Sequence, residues 1–167
     1  GKVILPKVLT DRVPAQRLVR MVDAAQPTGQ TMSSAGVDRA LLLLDDLPGV
    51  SVSGNLVEGQ KHGETDLLLD VTQEPWLSGS ASYDNYGSVS TGTHRLNANA
   101  SLASPLRLGD ALTTHYLKTQ GSDYRRLAYS VPVGHDGWRA GVHNTFLNYQ
   151  LLDKFAVSGG YGSAQTT

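Results

Sequence analysis

The side chains able to make or break bonds are few and poorly placed for it. The five histidines are scattered, with neither a helical pair nor the spacing of metal ligands. Cysteine is absent, which removes a thiolate metal site, a disulfide framework and a cysteine nucleophile. That absence suits an oxidising compartment, where stray thiols are a hazard. Asp45 and Asp46 are adjacent carboxylates, but neighbours on a helix point roughly 100° apart and do not share a site. They read as a solvated helix end. His115 and His143 have no serine on an elbow motif beside them. His135-Asp136 next to Gly137 reads as turn chemistry. Gly159-Gly160-Tyr161-Gly162 lacks the lysine and the strand–helix context of a phosphate loop, and reads as a hairpin. No catalytic residue, metal ligand set or cofactor is expected.

A different chemistry is written into residues 76–149, where polar and apolar side chains alternate. Leu96, Ala98, Ala100 and Leu102 alternate with Asn97, Asn99 and Ser101. Leu127, Tyr129, Val131 and Val133 alternate with Arg126, Ala128, Ser130 and Pro132. Trp138, Ala140, Val142 and Phe146 alternate with Arg139, Gly141, His143 and Thr145. Strand side chains point to opposite faces at period two, so each segment has a greasy face and a wet face. A soluble sandwich gives that pattern, and so does a membrane barrel with lipid outside and water inside. The formal net charge of −1 gives no electrostatic reason to expect nucleic acid. No run of apolar residues is long enough for a transmembrane helix. Val3-Ile4-Leu5, cut by Pro6, is too short for a signal-peptide core.

The elements that precede this meander have a different texture. Residues 3–9 read as a strand that Pro6 demotes to a strand end or sheet edge. Thr10 or Asp11 caps a first helix, with Pro14 in its first turn, Leu18, Met21, Val22 and Ala25 on its apolar stripe, and Pro27 and Gly29 as its stop. Ser33 or Ser34 caps a second, with Val37, Ala40, Leu41 and Leu44 on one face and Asp38 in the first turn. Leu42 and Leu43 widen that stripe, which predicts cover on more than one side, and Pro48-Gly49 ends the helix. Residues 50–56 alternate as a half-exposed strand at a sheet edge. Residues 58–64 form a polar turn. Leu67 to Val71 run without alternation, which predicts a central strand. The order is strand–helix–helix–strand–strand, with both helices on one face.

After the linker at residues 73–75 come five strands, at 77–83, 94–104, 111–119, 124–133 and 138–149, joined by glycine-rich turns. Residues 150–157 read as a looser loop. Five strands do not close a barrel, for which about eight are the working minimum. Left open, the meander exposes two edges and a large apolar face, so either a partner completes it or it is part of something longer.

Several stretches are similar to one family. Leu41-Leu42-Leu43-Leu44-Asp45-Asp46-Leu47-Pro48-Gly49-Val50-Ser51-Val52 resembles the second helix and following strand of a POTRA domain in the outer-membrane transporters of two-partner secretion, the haemolysin secretion/activation family. Thr65-Asp66-Leu67-Leu68-Leu69-Asp70-Val71 resembles that domain's last strand. Asp84-Asn85-Tyr86-Gly87 resembles the first barrel hairpin, and Leu106-Arg107-Leu108-Gly109-Asp110 and Tyr129-Ser130-Val131-Pro132-Val133-Gly134 resemble the next two turns.

The resemblance implies an α+β POTRA domain (β-α-α-β-β) at residues 1–75, then an antiparallel up-and-down β meander at 76–167, the first strands of a transmembrane β-barrel. It implies a protein of the cell outer membrane with residues 1–75 in the periplasm. Its partners would be outer-membrane lipid and a large secreted exoprotein in unfolded form, caught by strand addition at Val50, Ser51, Val52, Ser53 and Leu56. The pore lining it implies is Asn97, Asn99, Ser101, Arg126, Ser130, Arg139, His143 and Thr145. Tyr83, Tyr86, Tyr116, Tyr129, Trp138 and Tyr149 are candidates for an aromatic girdle. Another POTRA-plus-barrel protein, an assembly factor or a barrel fused to an effector, and a soluble periplasmic protein-binding module remain open alternatives.

Overall fold

A computed structural model describes residues 3–9, 11–59, 63–152 and 160–167. The chain runs β1 (Val3–Leu9), α1 (Ala15–Ala25), α2 (Ser34–Asp45), β2 (Val50–Glu58), β3 (Thr65–Gln73), β4 (Leu77–Asp84), β5 (Arg95–Ala103), β6 (Ala111–Lys118), β7 (Ser122–Val133), β8 (Trp138–Gln150) and β9 (Tyr161–Thr166). It divides into two compact units. The first comprises Gly1–Trp76 together with Ala103–Ala111 and Val131–Ala140; the second comprises Leu77–Leu102, Leu112–Ser130 and Gly141–Thr167. Two hairpin turns of the meander therefore belong to the helical unit rather than to the sheet that their strands build.

In the first unit the three-stranded sheet has the order β1-β3-β2, with β3 parallel to β1 and antiparallel to β2. α1 offers Leu18, Met21 and Val22 and α2 offers Val37, Ala40 and Leu44 to a core closed by Val13, Leu47, Val50, Leu67, Leu69 and Val71. Full burial stabilises such side chains by roughly 1.5–3 kcal/mol each. β3 is central as expected, but not because both its faces are equally covered. Leu67, Leu69 and Val71 are buried while Leu68 is half-buried and Asp70 exposed, so the helices cover one face.

The helix starts differ from the sequence expectation. α1 has Pro14 at its N-cap with no side-chain cap, so Asp11 does not cap it, and Thr10 lies outside the described residues. The ring presets a φ suited to this entry and its missing N–H would be unsatisfied there in any case. α2 is capped by Ser33, whose Oγ accepts the Gly36 N–H at 3.0 Å. Buried Gln26, just past α1, accepts the Ser33 N–H at 3.1 Å and donates to the Thr31 carbonyl at 3.2 Å, tying the end of one helix to the start of the next. Because α2 begins at Ser34, Asp38 falls beyond its first turn, which holds no acidic residue. Of the two leucines that widen its stripe, Leu43 is half-buried and Leu42 is 71% exposed, so extra cover reaches only one of them.

That cover comes from the two turns. Gly137, at positive φ, abuts Leu43. In the other turn Asp110 is wholly buried, and its carboxylate accepts the N–H groups of Leu106 and Leu108 at 3.2 and 3.1 Å. Ser104 donates its hydroxyl to the Pro48 carbonyl at 2.7 Å. Gly109 sits at φ +71° between Leu47 and Pro132, where an added Cβ would lie 2.7 Å from Leu47 Cδ2 and 3.3 Å from Pro132 Cγ. Arg17 of α1 donates to the Pro132 carbonyl at 2.8 Å.

The second unit is a six-stranded sheet with its strands in chain order, β4 to β9. Five were expected from the sequence; the segment opened by Gly160-Tyr161-Gly162 completes a sixth, and β7 starts at Ser122, two residues earlier than expected. Gly159, residues 153–157 of the expected loop and residues 60–62 of the expected polar turn lie outside the described residues. Among the described side chains every residue of the buried hydrophobic core falls between Val13 and Val71, and β4–β9 contribute none of it.

Candidate functional site

Two surfaces could carry function, one in each unit. The first is the outer edge of β2. Among the described residues β2 pairs only with β3, in unbroken register from Val50↔Gln73 to Glu58↔Thr65. Opposed residues of an antiparallel pair alternate between those that exchange backbone hydrogen bonds and those that do not. The Glu74 N–H donates to the Gly49 carbonyl at 3.0 Å, which sets the phase. Residues 51, 53, 55 and 57 thus turn their backbone groups to β3, and Val52, Gly54, Leu56 and Glu58 turn theirs outward. The Val50 N–H is taken by the Leu47 carbonyl at 3.4 Å.

β1 also lies at an edge, but its register jumps between Ile4 and Lys7, around Pro6. A proline and a bulge are devices that blunt an edge against pairing. β2 has neither, and its only charged residue is Glu58 at its end. Beside it runs a groove of about 280 Å³, lined by Met32, Ser33, Ser34, Val37, Asp38, Leu56 and Thr65. Gly54 lets α2 approach β2, since a Cβ there would lie 2.7 Å from Leu41 Cδ2.

Of the side chains expected at this edge, Val50 is in the core, Val52 packs against it, Ser51 is half-buried and Ser53 is exposed. Only Leu56, 60% exposed, lines the groove. Val52 does not line it. The groove's other wall, from Met32 to Asp38, was not singled out from sequence; its signal was the capping serine pair, which brings a helix start to the strand.

The second surface is the polar face of β4–β9. Ser78, Ser80, Ser82 and Asp84 stand opposite Ser101, Asn99, Asn97 and Arg95. Asn99 donates to Ser80 Oγ at 2.9 Å, Asn97 Oδ1 meets His115 Nε2 at 2.9 Å, and His115 packs edge-on against Tyr124 at 5.5 Å. Arg95 grips Asp84 through two bonds of 2.9 and 3.1 Å. Arg126, Ser130, His143 and Thr145 share this face by period-two alternation, as Gly141 against Ser130 confirms for β7 and β8. Arg139 belongs to the first unit instead, where its guanidinium donates to the Gly109 carbonyl at 3.1 Å. The serines of β4 and His115 were missed as members of this face, although the Ser78-Ser80-Ser82 alternation was visible.

The opposite face of the sheet carries Leu77, Tyr83, Leu96, Leu127, Val142 and Phe146, each 42–69% exposed. At one end of β8 stands Trp138, 77% exposed, and at the start of β9 Tyr161, 78% exposed. Tyr83, Tyr116, Tyr129 and Trp138 share this face by alternation; Tyr86 lies in a turn, and Tyr149 packs on Gly162 on the polar side. A soluble protein does not leave so large an apolar surface unburied. Among the described residues no helix is long and apolar enough to cross a membrane, and no group of His, Asp and Glu is placed to hold a metal ion.

Residues 63–157 match the profile of the haemolysin secretion/activation protein family ShlB/FhaC/HecB, more than half of the chain. The chain belongs to that family. Its relatives include the heme/hemopexin transporter protein HuxB of Haemophilus influenzae, 26% identical over 149 residues that cover 88% of this chain and 26% of HuxB. The hemolysin transporter protein HpmB of Proteus mirabilis is 30% identical over 133 residues, 75% of this chain and 23% of HpmB. The chain thus spans about a quarter of the length of these relatives. The solved structure of CdiB from Escherichia coli superposes with a TM-score of 0.67 at 20% identity, covering 99% of this chain and 31% of CdiB. BamA from Haemophilus ducreyi lacking POTRA domains 1–3 gives 0.59 at 18%, over 98% of this chain and 31% of that one. Family membership and the unburied apolar face place this haemolysin secretion/activation segment in the outer membrane.

Proposed function

We propose that residues 1–75 form the barrel-proximal POTRA domain of a two-partner secretion transporter, lying in the periplasm, and that residues 76–167 form the first strands of its barrel. The domain receives the secreted partner in unfolded form. An extended segment of that exoprotein adds to β2 as a further strand, bonding the backbone of Val52, Gly54, Leu56 and Glu58, while one of its apolar side chains enters the groove beside Leu56. Val50, Ser51 and Ser53 hold the edge in register. The observation that carries this reading is the undefended nine-residue edge of β2 next to a groove, in a sheet whose other edge is blunted by a proline and a bulge.

The polar face of β4–β9 would line the conduit. Small amide and hydroxyl groups at Asn97, Asn99, Ser101, Ser130 and Thr145, with His143 and Arg126, give a hydrated wall that exchanges hydrogen bonds with a passing backbone without holding it. Arg139 works at the turn. The step is transport, and no bond of the exoprotein is made or broken.

The lack of cysteine in these residues makes the test clean. Ser53→Cys supplies the only thiol of a full-length transporter kept free of other cysteines, and an exoprotein carrying single cysteines along its amino-terminal region is co-expressed with it. Disulfide capture should show a two-residue periodicity along the exoprotein, the mark of strand pairing. Capture without that periodicity would remove strand addition from the account.

A further inference from the structure

On the lipid-facing side of the sheet, one corner departs from the apolar pattern. Lys118, at the end of β6, and Arg125 of β7 both hold Asp123, at 3.1 Å and 2.8 Å. The cluster is net positive, and its cations are the accessible part: Lys118 and Arg125 are 47% and 65% exposed while Asp123 is 17% exposed. Arg125 lies 5.7 Å above the Tyr116 ring, which fixes the guanidinium plane. From this cluster a groove of about 610 Å³ runs along the face, lined by Asp123, Arg125, Leu127, Asn144, Phe146 and Asn148 among others. Within it the Asn144 carbonyl oxygen is buried with no hydrogen-bond partner among the described residues, while its amide nitrogen reaches Thr167 Oγ1 at 3.4 Å. A buried acceptor is destabilising unless a donor reaches it.

Cations at the rim, an unmet acceptor further in and a large apolar side chain beside each describe an amphipathic ligand. We propose that this groove holds one phosphorylated glycolipid of the outer membrane. The lipid's phosphate sits between Lys118 and Arg125, which Asp123 keeps extended and oriented. A hydroxyl or amide N–H at the head of an acyl chain donates to Asn144 Oδ1, and the chain lies on Leu127 and Phe146. Gly141 lies against Ser130, so Asn144 stands opposite Leu127, two residues along β7 from Arg125; roughly 7 Å of strand therefore separates the cations from the acceptor, within reach of a sugar phosphate and the acyl amide on the next carbon. The acyl linkages of an ordinary phospholipid are esters, which accept only, so it meets the rim but brings no donor from the head of its chains to Asn144. This proposal rests on the reading of β4–β9 as membrane-spanning strands.

The test uses the full-length transporter in nanodiscs of phosphatidylcholine doped either with diphosphoryl lipid A or with phosphatidylglycerol. Lipid kept after transfer to detergent is counted by native mass spectrometry. Lipid A should remain bound at one copy in preference to phosphatidylglycerol. Lys118→Ala with Arg125→Ala should lower its retention by about tenfold, and Asn144→Leu by about fivefold, as loss of charge-assisted and neutral hydrogen bonds implies. Both variants should melt as the wild type does in phosphatidylcholine alone. Equal retention of phosphatidylglycerol, unchanged retention in either variant, or displacement of lipid A by inorganic phosphate overturns the proposal. If the protein enters nanodiscs without selective retention, only this site is lost. If it does not enter them, the membrane reading of the strands fails with it.

Discussion

Replacing Val52 by proline separates the outward backbone of β2 from the inward one. The Val52 N–H points away from β3 by the hydrogen-bond phase that Glu74 and Gly49 set. Proline there leaves the β2–β3 ladder whole, and edge strands tolerate proline when the missing N–H faces solvent. An added exoprotein strand loses one donor, and its own carbonyl is left unpaired. Together these cost about 2 kcal/mol, so the dissociation constant of the exoprotein's amino-terminal segment should rise about 30-fold. Ser53→Pro is the comparison. It removes an N–H that faces Asp70 on β3, and it should destabilise the first unit by about 1–3 kcal/mol. The assay is fluorescence anisotropy of the labelled segment against full-length protein in detergent, with thermal melting followed in parallel. If Val52→Pro melts normally and binds within twofold of the wild type, the exoprotein does not dock by pairing with this edge.

The packing leads to three more expected outcomes. Val142→Arg places a charge on the lipid face and should cost up to about 2–4 kcal/mol, read as a lower folded fraction in vesicles by the heat-modifiable gel shift; His143→Arg, one residue on but on the wet face, should fold as the wild type. Asp110→Ala leaves the N–H groups of Leu106 and Leu108 without their acceptor and should destabilise the protein by about 1–3 kcal/mol in denaturant titration, with Asp110→Asn recovering about half. Leu44→Ala opens a cavity in the helical core and should cost about 2–5 kcal/mol, seen as a lower melting temperature of the helical signal with the strand signal unmoved.

The two periodicities carried most of the fold. The stripe on α2 and the alternation in β5, β7 and β8 are local patterns, and each marked its element and its face. The central place of β3 was legible too, from Leu67-Leu68-Leu69. What the sequence could not display was tertiary. Pro14 rather than a polar residue starts α1, because the entry to this helix needs a preset φ more than a side-chain acceptor. Val52 faces the core because α2 crosses above β2 at Gly54, and no pattern along one strand records that approach. Arg139 keeps the parity of a wet-face residue but is drawn to the Gly109 carbonyl by a turn thirty residues earlier in the chain. β9 was too short and too polar to be read as a strand, and β8 supplies the ladder that makes it one.

The wedge of Gly109 between Leu47 and Pro132 reaches beyond stability. A loop built into the packing of the helical unit cannot drift in length, so insertions at residues 104–110 should be purged while the exposed bend at residues 85–89 accepts them. Epitope tags belong in that second place. Chimaeras that exchange the helical unit between relatives should carry both hairpin bends across with the helices, since grafting the helices alone would set a foreign leucine against a glycine shaped for another.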